Sequence, residues 1–353
     1  MANYSSKVPT IYVLYTGGTF GMAASNQSSA LMLKPQALWE IEPHLQVIAE
    51  AQFGLKIKFD SLDQPVDSSS MKPVDWLTIA RRIACNYEYY DGFIIIHGSD
   101  TLAYTASALS FIFENLAKPV VVTGSQLPLL SARTDAANNF ILALKIAAHV
   151  GLSGKPLAEV AVVFANKVLR GNRCQKISTS KRAAFASPNC KPLASVLQDG
   201  LQICRHAVRN SMRLGKPLVL NQQLETGVID IALFPGISSQ FLERVLNQEG
   251  VRGVVLRSFG AGNAPEAPDF LYMLKQKILE RDLIVVAVTQ CMHGSVRPGY
   301  YASGVGLIDC GVFSGGDMTP EAAFTKLMVL LPTINNYDNK KKISADLRGE
   351  ITI

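Results

Sequence analysis

The stretch GFIIIHGSDTLAYTASALSFIFENLAKPVVVT, residues 92–123, decides how this chain is read. Gly92 to His97 is a continuous apolar run with a polar end, the pattern of a strand buried on both faces. From Thr101 to Leu116 the apolar residues Leu102, Ala106, Leu109, Phe113 and Leu116 recur at helical spacing. Lys118-Pro119 then leads into a second apolar run, Val120 to Thr123. Strand, helix and strand in that order form a βαβ unit, and a helical crossover implies parallel strands.

The same alternation extends in both directions. Ile11 to Leu14 reads as a short buried strand, and Ala158 to Ala165 as another, after a helix around Asn139 to Ala148. The pattern breaks over Asp199 to Gln223, which mixes Gly, Arg, Asn and Pro. It resumes with strands at Val228 to Phe234, Gly253 to Arg257 and Leu283 to Val288. Thr319-Pro320 before Glu321 to Leu331 is a helix start, with a threonine cap and proline at the first position. A chain of 353 residues exceeds one ordinary core. The expectation is an α/β protein with a larger N-terminal domain over 8–200, a linker over 201–224, and a smaller C-terminal α/β domain over 225–353. Both sheets are expected to be mainly parallel, with ligands at the carboxyl ends of their strands.

Composition removes several classes. Hydrophobic residues are 48% and charged residues 18%, which suits a packed globular protein and not a disordered one. The formal charge of +6 is a mild excess at this size, and the one dense basic run, Lys340-Lys341-Lys342, reads as a solvated tail helix. No nucleic-acid partner is expected. Met1 to Pro9 is polar and lacks the apolar core of a secretory signal, and no run approaches the ~18 apolar residues of a membrane span. The six cysteines lack CxxC spacing and the histidines lack paired spacing, so reduced thiols in a cytoplasmic protein, and neither a metal nor a cofactor, are expected.

The strand ends carry the chemistry. The first supplies Thr16-Gly17-Gly18-Thr19; the stretch after Leu62 gives Asp67-Ser68-Ser69-Ser70; the strand at Gly92 ends in His97-Gly98-Ser99-Asp100-Thr101; and the strand at Ala158 leads to Arg170-Gly171-Asn172-Arg173 and Lys176. Hydroxyls, carboxylates and a lysine without a catalytic histidine or cysteine suit acyl transfer by threonine. A threonine hydroxyl is a weak nucleophile and needs a nearby base. Lysine serves only when neutral, so it acts through an intervening hydroxyl with Asp100 balancing charge, while N–H groups of the glycine bend face an oxyanion. Each element also has a plainer reading. The glycine bend is equally a structural turn or a phosphate loop, Ser99-Asp100 a helix cap, Asp67-Ser68-Ser69 a loop cap, Lys176 a surface lysine, and His97 a satisfied strand-end histidine.

Taken together, these motifs resemble the bacterial-type L-asparaginases, most closely their cytoplasmic type I branch. The resemblance runs over roughly residues 10 to 350. It rests on Tyr15-Thr16-Gly17-Gly18-Thr19, Asp67-Ser68-Ser69 and His97-Gly98-Ser99-Asp100-Thr101. It continues through Thr123-Gly124-Ser125-Gln126, Arg170-Gly171-Asn172-Arg173, Phe185-Ala186-Ser187-Pro188-Asn189 and Tyr301-Ala302-Ser303-Gly304. The resemblance implies hydrolysis of L-asparagine to L-aspartate and ammonia on a flavodoxin-like larger domain beside a smaller α/β domain. It implies Thr19 as the nucleophile that forms an aspartyl ester, and Ser99, Asp100 and Lys176 as the second catalytic group. Substrate binding falls to Asp67, Ser68 and Ser69 with Ser99 and Asp100, and assembly to a homodimer or homotetramer. Arg257 and Cys291 match positions of a regulatory asparagine site.

Several positions depart from the family pattern. Ser99 stands where threonine is usual, and keeps the hydroxyl while losing a methyl that restrains χ1. The segment Phe20 to Lys34 has no tyrosine to contact the nucleophile, for which Tyr301, beside Tyr300, is a substitute. Gln175 replaces a threonine before the lysine, and Asp135-Ala136 replaces Asp-Gly. A glutaminase is a near alternative. A nucleotide-binding dehydrogenase is disfavoured because residues 17–22 read GGTFGM and lack GxGxxG. A non-catalytic amino-acid sensor is disfavoured by the retained Thr19, Asp100 and Lys176.

Overall fold

Alternation of strand and helix holds through the first half of the computed structural model, which describes residues 8–25, 32–148, 157–204, 206, 208, 216–297, 302–334 and 337–352. β1 (Thr10–Gly17) is followed by the antiparallel pair β2 (Met22–Ser25) and β3 (Met32–Pro35), then α1 (Leu38–Phe53), β4 (Lys56–Val66) and α2 (Pro73–Cys85). β5 (Gly92–Ile96), α3 (Leu102–Ile112), β6 (Phe113–Glu114) and β7 (Val120–Thr123) form the expected βαβ unit. α4 (Ala136–Ala147), β8 (Val160–Phe164), β9 (Lys167–Arg170), β10 (Gln175–Lys176), β11 (Phe185–Ala186), β12 (Ala194–Leu197), β13 (Gly200–Ile203) and β14 (Val219–Leu220) complete this part.

Eight of these strands make one sheet in the order β13-β12-β9-β8-β7-β5-β1-β4. β4, β1, β5, β7 and β8 run parallel, so the ends of β1, β4 and β5 open at the same edge. β5 is buried along its whole length because both faces are covered. Ile94 and Ile96 join Ile41 and Leu45 of α1 and Phe140 and Leu144 of α4 in one apolar core. α3 packs on β7 and β8, with α2 against it.

Two boundaries differ from the sequence expectation. α3 ends at Ile112 and not Leu116, because Phe113 leaves the helix to pair with Leu220 and Asn115 takes a left-handed turn at φ 61°. Both ends of the segment expected as a linker are also paired elsewhere. β13 closes an antiparallel hairpin on β12 at the sheet edge, and β14 lies on β6. The chain divides into two compact units, Met1–Ser187 with Lys191–Leu220, and Pro188–Cys190 with Asn221–Ile353.

The second unit is a parallel sheet of four strands, β15 (Val228–Ala232), β16 (Gly253–Ser258), β17 (Ile284–Thr289) and β18 (Phe313–Ser314), in sequence order. α5 (Ser239–Leu246) and α6 (Pro268–Arg281) contribute Leu242, Leu246, Phe270 and Leu274 to a core with Val254, Leu256 and Val285. α7 (Ala302–Asp309) packs on α6. α8 (Pro320–Leu330) covers the other face; its N-terminus is capped by the Thr319 hydroxyl, which accepts from the Ala322 N–H, as the sequence indicated. The fold is thus the mixed α/β arrangement expected, with a large parallel-rich sheet and a separate small parallel one.

The far end of the chain is locked onto α8 by a buried ion pair. Lys326 Nζ lies 2.6 Å from Glu350 Oε1, with side chains 1% and 0% exposed. The ammonium also donates to the Ala345 carbonyl, and the carboxylate accepts the N–H groups of Leu347 and Arg348. Removing one member strands the other charge in a dry site. Lys326→Met is expected to destabilise the second unit by about 3–5 kcal/mol. Lys326→Met with Glu350→Gln should recover part of this, since the unmatched charge is gone and the amide oxygen keeps an acceptor for one of the two N–H groups. Urea unfolding followed in both variants checks this.

Candidate functional site

Two glycines at the end of β1 carry the chain through a bend that side chains would block. Gly17 and Gly18 sit at φ 110° and 81°. A Cβ on Gly18 would fall 2.2 Å from the Cα of Gly98, the second residue after β5. The two backbones are therefore in contact, and Thr19 and Ser99 are each the next residue along from it. A Cβ on Gly98 would in turn meet Ser68 Oγ at 2.5 Å. Three loops, one from each of β1, β4 and β5, converge on this point.

Hydrogen bonds hold them there. The Thr16 hydroxyl donates to the Ile96 carbonyl at 3.0 Å, joining the ends of β1 and β5. Ser68, 2% exposed, accepts the Asp100 N–H on its Oγ at 3.2 Å, and its carbonyl accepts the Thr101 hydroxyl at 2.7 Å. At the exposed rim, Asp67 Oδ1 accepts both the N–H and the hydroxyl of Ser69, each at 2.9 Å. The Gly18 N–H donates to the Val66 carbonyl at 3.1 Å, so that amide is not open to an oxyanion. Thr19 itself is half-buried at the start of a 3-10 turn, Thr19–Gly21, and no hydrogen bond holds its hydroxyl among the described residues.

Lys176 reaches the same place from β10. β10 pairs antiparallel with β11, setting Lys176 opposite Phe185, whose ring is buried 4.8 Å from that of Phe164. The Ser187 hydroxyl ties the hairpin back to the Arg173 carbonyl. Lys176 Nζ donates to Ser99 Oγ at 2.9 Å and to Asp100 Oδ1 at 2.6 Å. The Lys176 side chain is 18% exposed and that of Asp100 61%, so the pair faces solvent on the carboxylate side and its worth is geometric more than energetic. Ser99, 7% exposed, accepts from the ammonium and keeps its own proton to donate. A hydroxyl nucleophile, a second hydroxyl bonded to an amine, and carboxylates at the rim can carry out acyl transfer on a small charged substrate.

His97 is the structural residue the sequence suggested. It is wholly buried, with Nδ1 2.7 Å from the Gly98 carbonyl, to which it donates, and Nε2 2.9 Å from the Thr105 hydroxyl, from which it accepts. Burial pushes its pKa down to about 4, so the ring stays neutral and holds the loop that carries Ser99. Asp135 plays a similar part after β7, accepting the N–H groups of Gln126 and Leu127.

Thr19, Ser68, Ser99, Asp100 and Lys176 are thus on one edge of the large sheet, with Asp67 and Ser69 at its rim. Arg257 and Cys291 belong to the second unit, at the carboxyl ends of β16 and β17. Arg257 Nε donates to Asp230 Oδ1 at 2.9 Å, and the exposed Cys291 is held through its N–H by the Thr289 hydroxyl at 3.0 Å. Glu321, in the first turn of α8, is pushed up to about 7 by burial and is sensitive to Asp230 and Arg257. Tyr300 and Tyr301 lie outside the described residues. Sequence reasoning missed Gly98 as the partner of the glycine bend, and Phe185 as the anchor of the lysine hairpin. Gly98 stands inside the quoted motif, but no periodicity marks a backbone contact.

Comparison with known proteins follows the two units. The family description "Asparaginase, N-terminal" matches residues 10–209, and "Glutaminase/Asparaginase C-terminal domain" matches residues 227–343. L-asparaginase 1 of Escherichia coli K12 is 41% identical, with 97% of this chain and 98% of that one covered. The 60 kDa lysophospholipase of Mus musculus is 39% identical over 97% of this chain and 62% of its own length. The crystal structure of L-asparaginase I from Vibrio cholerae superimposes with a TM-score of 0.87 at 40% identity, covering 98% of this chain and 100% of that one. Among the described residues no helix is long and apolar enough to cross a membrane, and no cluster of metal-ligating side chains occurs.

The buried imidazole gives a pH signature. Between pH 6.5 and about 4 the unfolded histidine binds a proton that the folded one refuses. His97 therefore contributes no destabilisation above pH 6.5 and removes roughly 3 kcal/mol as pH falls through that window. Thermal melts at pH 5 and pH 7 should show a smaller gap for His97→Gln than for the wild type.

Proposed function

The chain belongs to the asparaginase family, and on that premise we propose that it hydrolyses L-asparagine to L-aspartate and ammonia with Thr19 as nucleophile. The observation that carries this reading is the Lys176 ammonium bonded at once to Ser99 and Asp100, one residue from the Gly18–Gly98 contact that presents Thr19.

The substrate's charged end meets the rim. Asp67 and Asp100 receive the α-ammonium, and Ser68 and Ser69 turn their hydroxyls to the α-carboxylate, Ser69 giving up its bond to Asp67 Oδ1. That places the side-chain amide over Thr19. The Thr19 oxygen attacks the amide carbon, its proton passes to the departing nitrogen, and ammonia leaves an aspartyl ester. Water then attacks the ester; its proton is relayed through the Ser99 hydroxyl to the departing Thr19 oxygen, which restores the Thr19 hydroxyl, while Lys176 and Asp100 hold Ser99 in place. Holding these groups on strand ends supplies orientation in advance, which is where the rate gain arises. Ser99 performs this role with its hydroxyl alone.

The reading includes a homodimer or homotetramer in the cytoplasm, and a second asparagine bound by Arg257 and Cys291. In the resting enzyme Arg257 is occupied by Asp230, so an effector carboxylate competes for the same guanidinium.

Thr19→Ala should fold as the wild type and lose at least ~10³-fold in ammonia release from asparagine. Lys176→Met should lose a comparable factor in kcat with a small change in KM. Wild-type rates in either would remove that residue from the mechanism. The assay includes glutamine, where one extra methylene separates the two amides by ~1–3 kcal/mol, and a lysophospholipid. Rates against asparagine concentration should be sigmoidal in the wild type and hyperbolic in Arg257→Ala; a hyperbolic wild-type curve would count against the regulatory site.

A further inference from the structure

Tyr15 is a fully buried polar side chain of β1 that the chemistry above leaves unused. It is 0% exposed, sits in the same core as Phe20, and its hydroxyl has no hydrogen-bond partner among the described residues. Burial, with the charge of Glu40 adding to it, pushes the phenol well above its ordinary pKa, so the group stays protonated. A buried donor without an acceptor is costly to keep, and phenylalanine would fill the same space without that cost.

What the hydroxyl touches is the turn that carries the nucleophile. A Cβ on Gly21 would fall 2.2 Å from Tyr15 Oη, 2.7 Å from Cζ and 3.0 Å from Cε2. Gly21 does not have positive φ, so its glycine is demanded by this contact and not by backbone conformation. The 3-10 turn Thr19–Gly21 is tied on its other sides. The Gly21 N–H donates to the Gly18 carbonyl, the Gln36 N–H donates to the Gly21 carbonyl, and the Leu129 N–H donates to the Phe20 carbonyl. These bonds set the turn laterally. The phenol of Tyr15 lies against Gly21 on a further side.

We propose that Tyr15, through its contact with Gly21, is a positioning residue that sets the height of Thr19 relative to Ser99 and Lys176. This rests on Thr19 being the nucleophile. A side chain at position 21 would ride up on the ring and lift Thr19, while Asp67, Ser69 and Asp100, carried by other strands, keep their places. Substrate would bind as before and react more slowly.

The test is steady-state kinetics on purified, folded variants, with Thr19→Ala alongside. Gly21→Ala is expected to lose ~30-fold or more in kcat with KM within about twofold of wild type, the scale of a small displacement of a reacting group. Tyr15→Leu removes the ring atoms that the new methyl would strike. The pair Tyr15→Leu with Gly21→Ala should therefore come back to within about fivefold of Tyr15→Leu alone. Turnover of Gly21→Ala within twofold of wild type, or a loss that Tyr15→Leu fails to relieve, overturns the proposal. Should Gly21→Ala fail to fold, Tyr15→Phe decides. A kcat lowered threefold or more with a melting temperature at or above wild type supports a positioning role, and an unchanged kcat overturns it. Thr19→Ala separates the two levels: if it remains active the nucleophile is wrong, and if it is inactive while Gly21→Ala is fully active only the positioning role is wrong.

Discussion

The contact of Gly18 with Gly98 is the constraint on which the candidate site depends. Two parallel strands, β1 and β5, end side by side, and the chain beyond each must turn away. Here both turns pass so closely that neither residue has room for a methyl group. Thr19 and Ser99 consequently issue from one backbone junction, and the placement of the two residues is set by main-chain atoms. Ser68 wedges against the same junction and ties it to β4, and the neutral ring of His97 pins it from below. Sites built on strand ends gain their accuracy in this way, because the sheet has already lost the freedom that a loop would have to surrender.

Much of this was legible in the residues themselves. The run from Gly92 to Thr123 declares a parallel crossover, and Thr319-Pro320 declares a capped helix, because each pattern reports a local rule that folding does not override. The site was legible through its motifs, which keep chemically needed residue types at the ends of apolar runs. The rest depends on partners far away in sequence. α3 stops at Ile112 because Phe113 finds Leu220 across the chain, a pairing that helical spacing cannot register. The ends of the 201–224 segment look irregular because they belong to short edge strands, whose few residues carry no clear period. Lys176 reads as a surface lysine until the antiparallel excursion through β9 and β10 brings it back to Ser99.

Among the relatives, fold and activity do not go together one to one. Chains of 39–41% identity carry the names asparaginase and lysophospholipase on what is, over this length, one architecture. A fold of this kind presents strand ends, and what is done there depends on which groups occupy them. Here Asp67, Ser69 and Asp100 form an exposed polar rim at one such set of strand ends. The second unit repeats the theme on a smaller sheet, with Asp230, Arg257 and Glu321 crowded at one end and their charges interdependent.

The Lys326–Glu350 pair has a consequence for biosynthesis. α8 carries a cation into the core of the second unit, and the carboxylate that neutralises it is specified only after every strand of that sheet. While the chain emerges from the ribosome, the small sheet can assemble but must hold an unmatched ammonium, or keep α8 undocked, until residue 350 arrives. In the large unit Arg82 pairs with Asp60 and Asp63, and the buried Arg170 with Glu159, all complete before residue 221. Vectorial synthesis would therefore have the large unit fold first and the second unit close in a single late step.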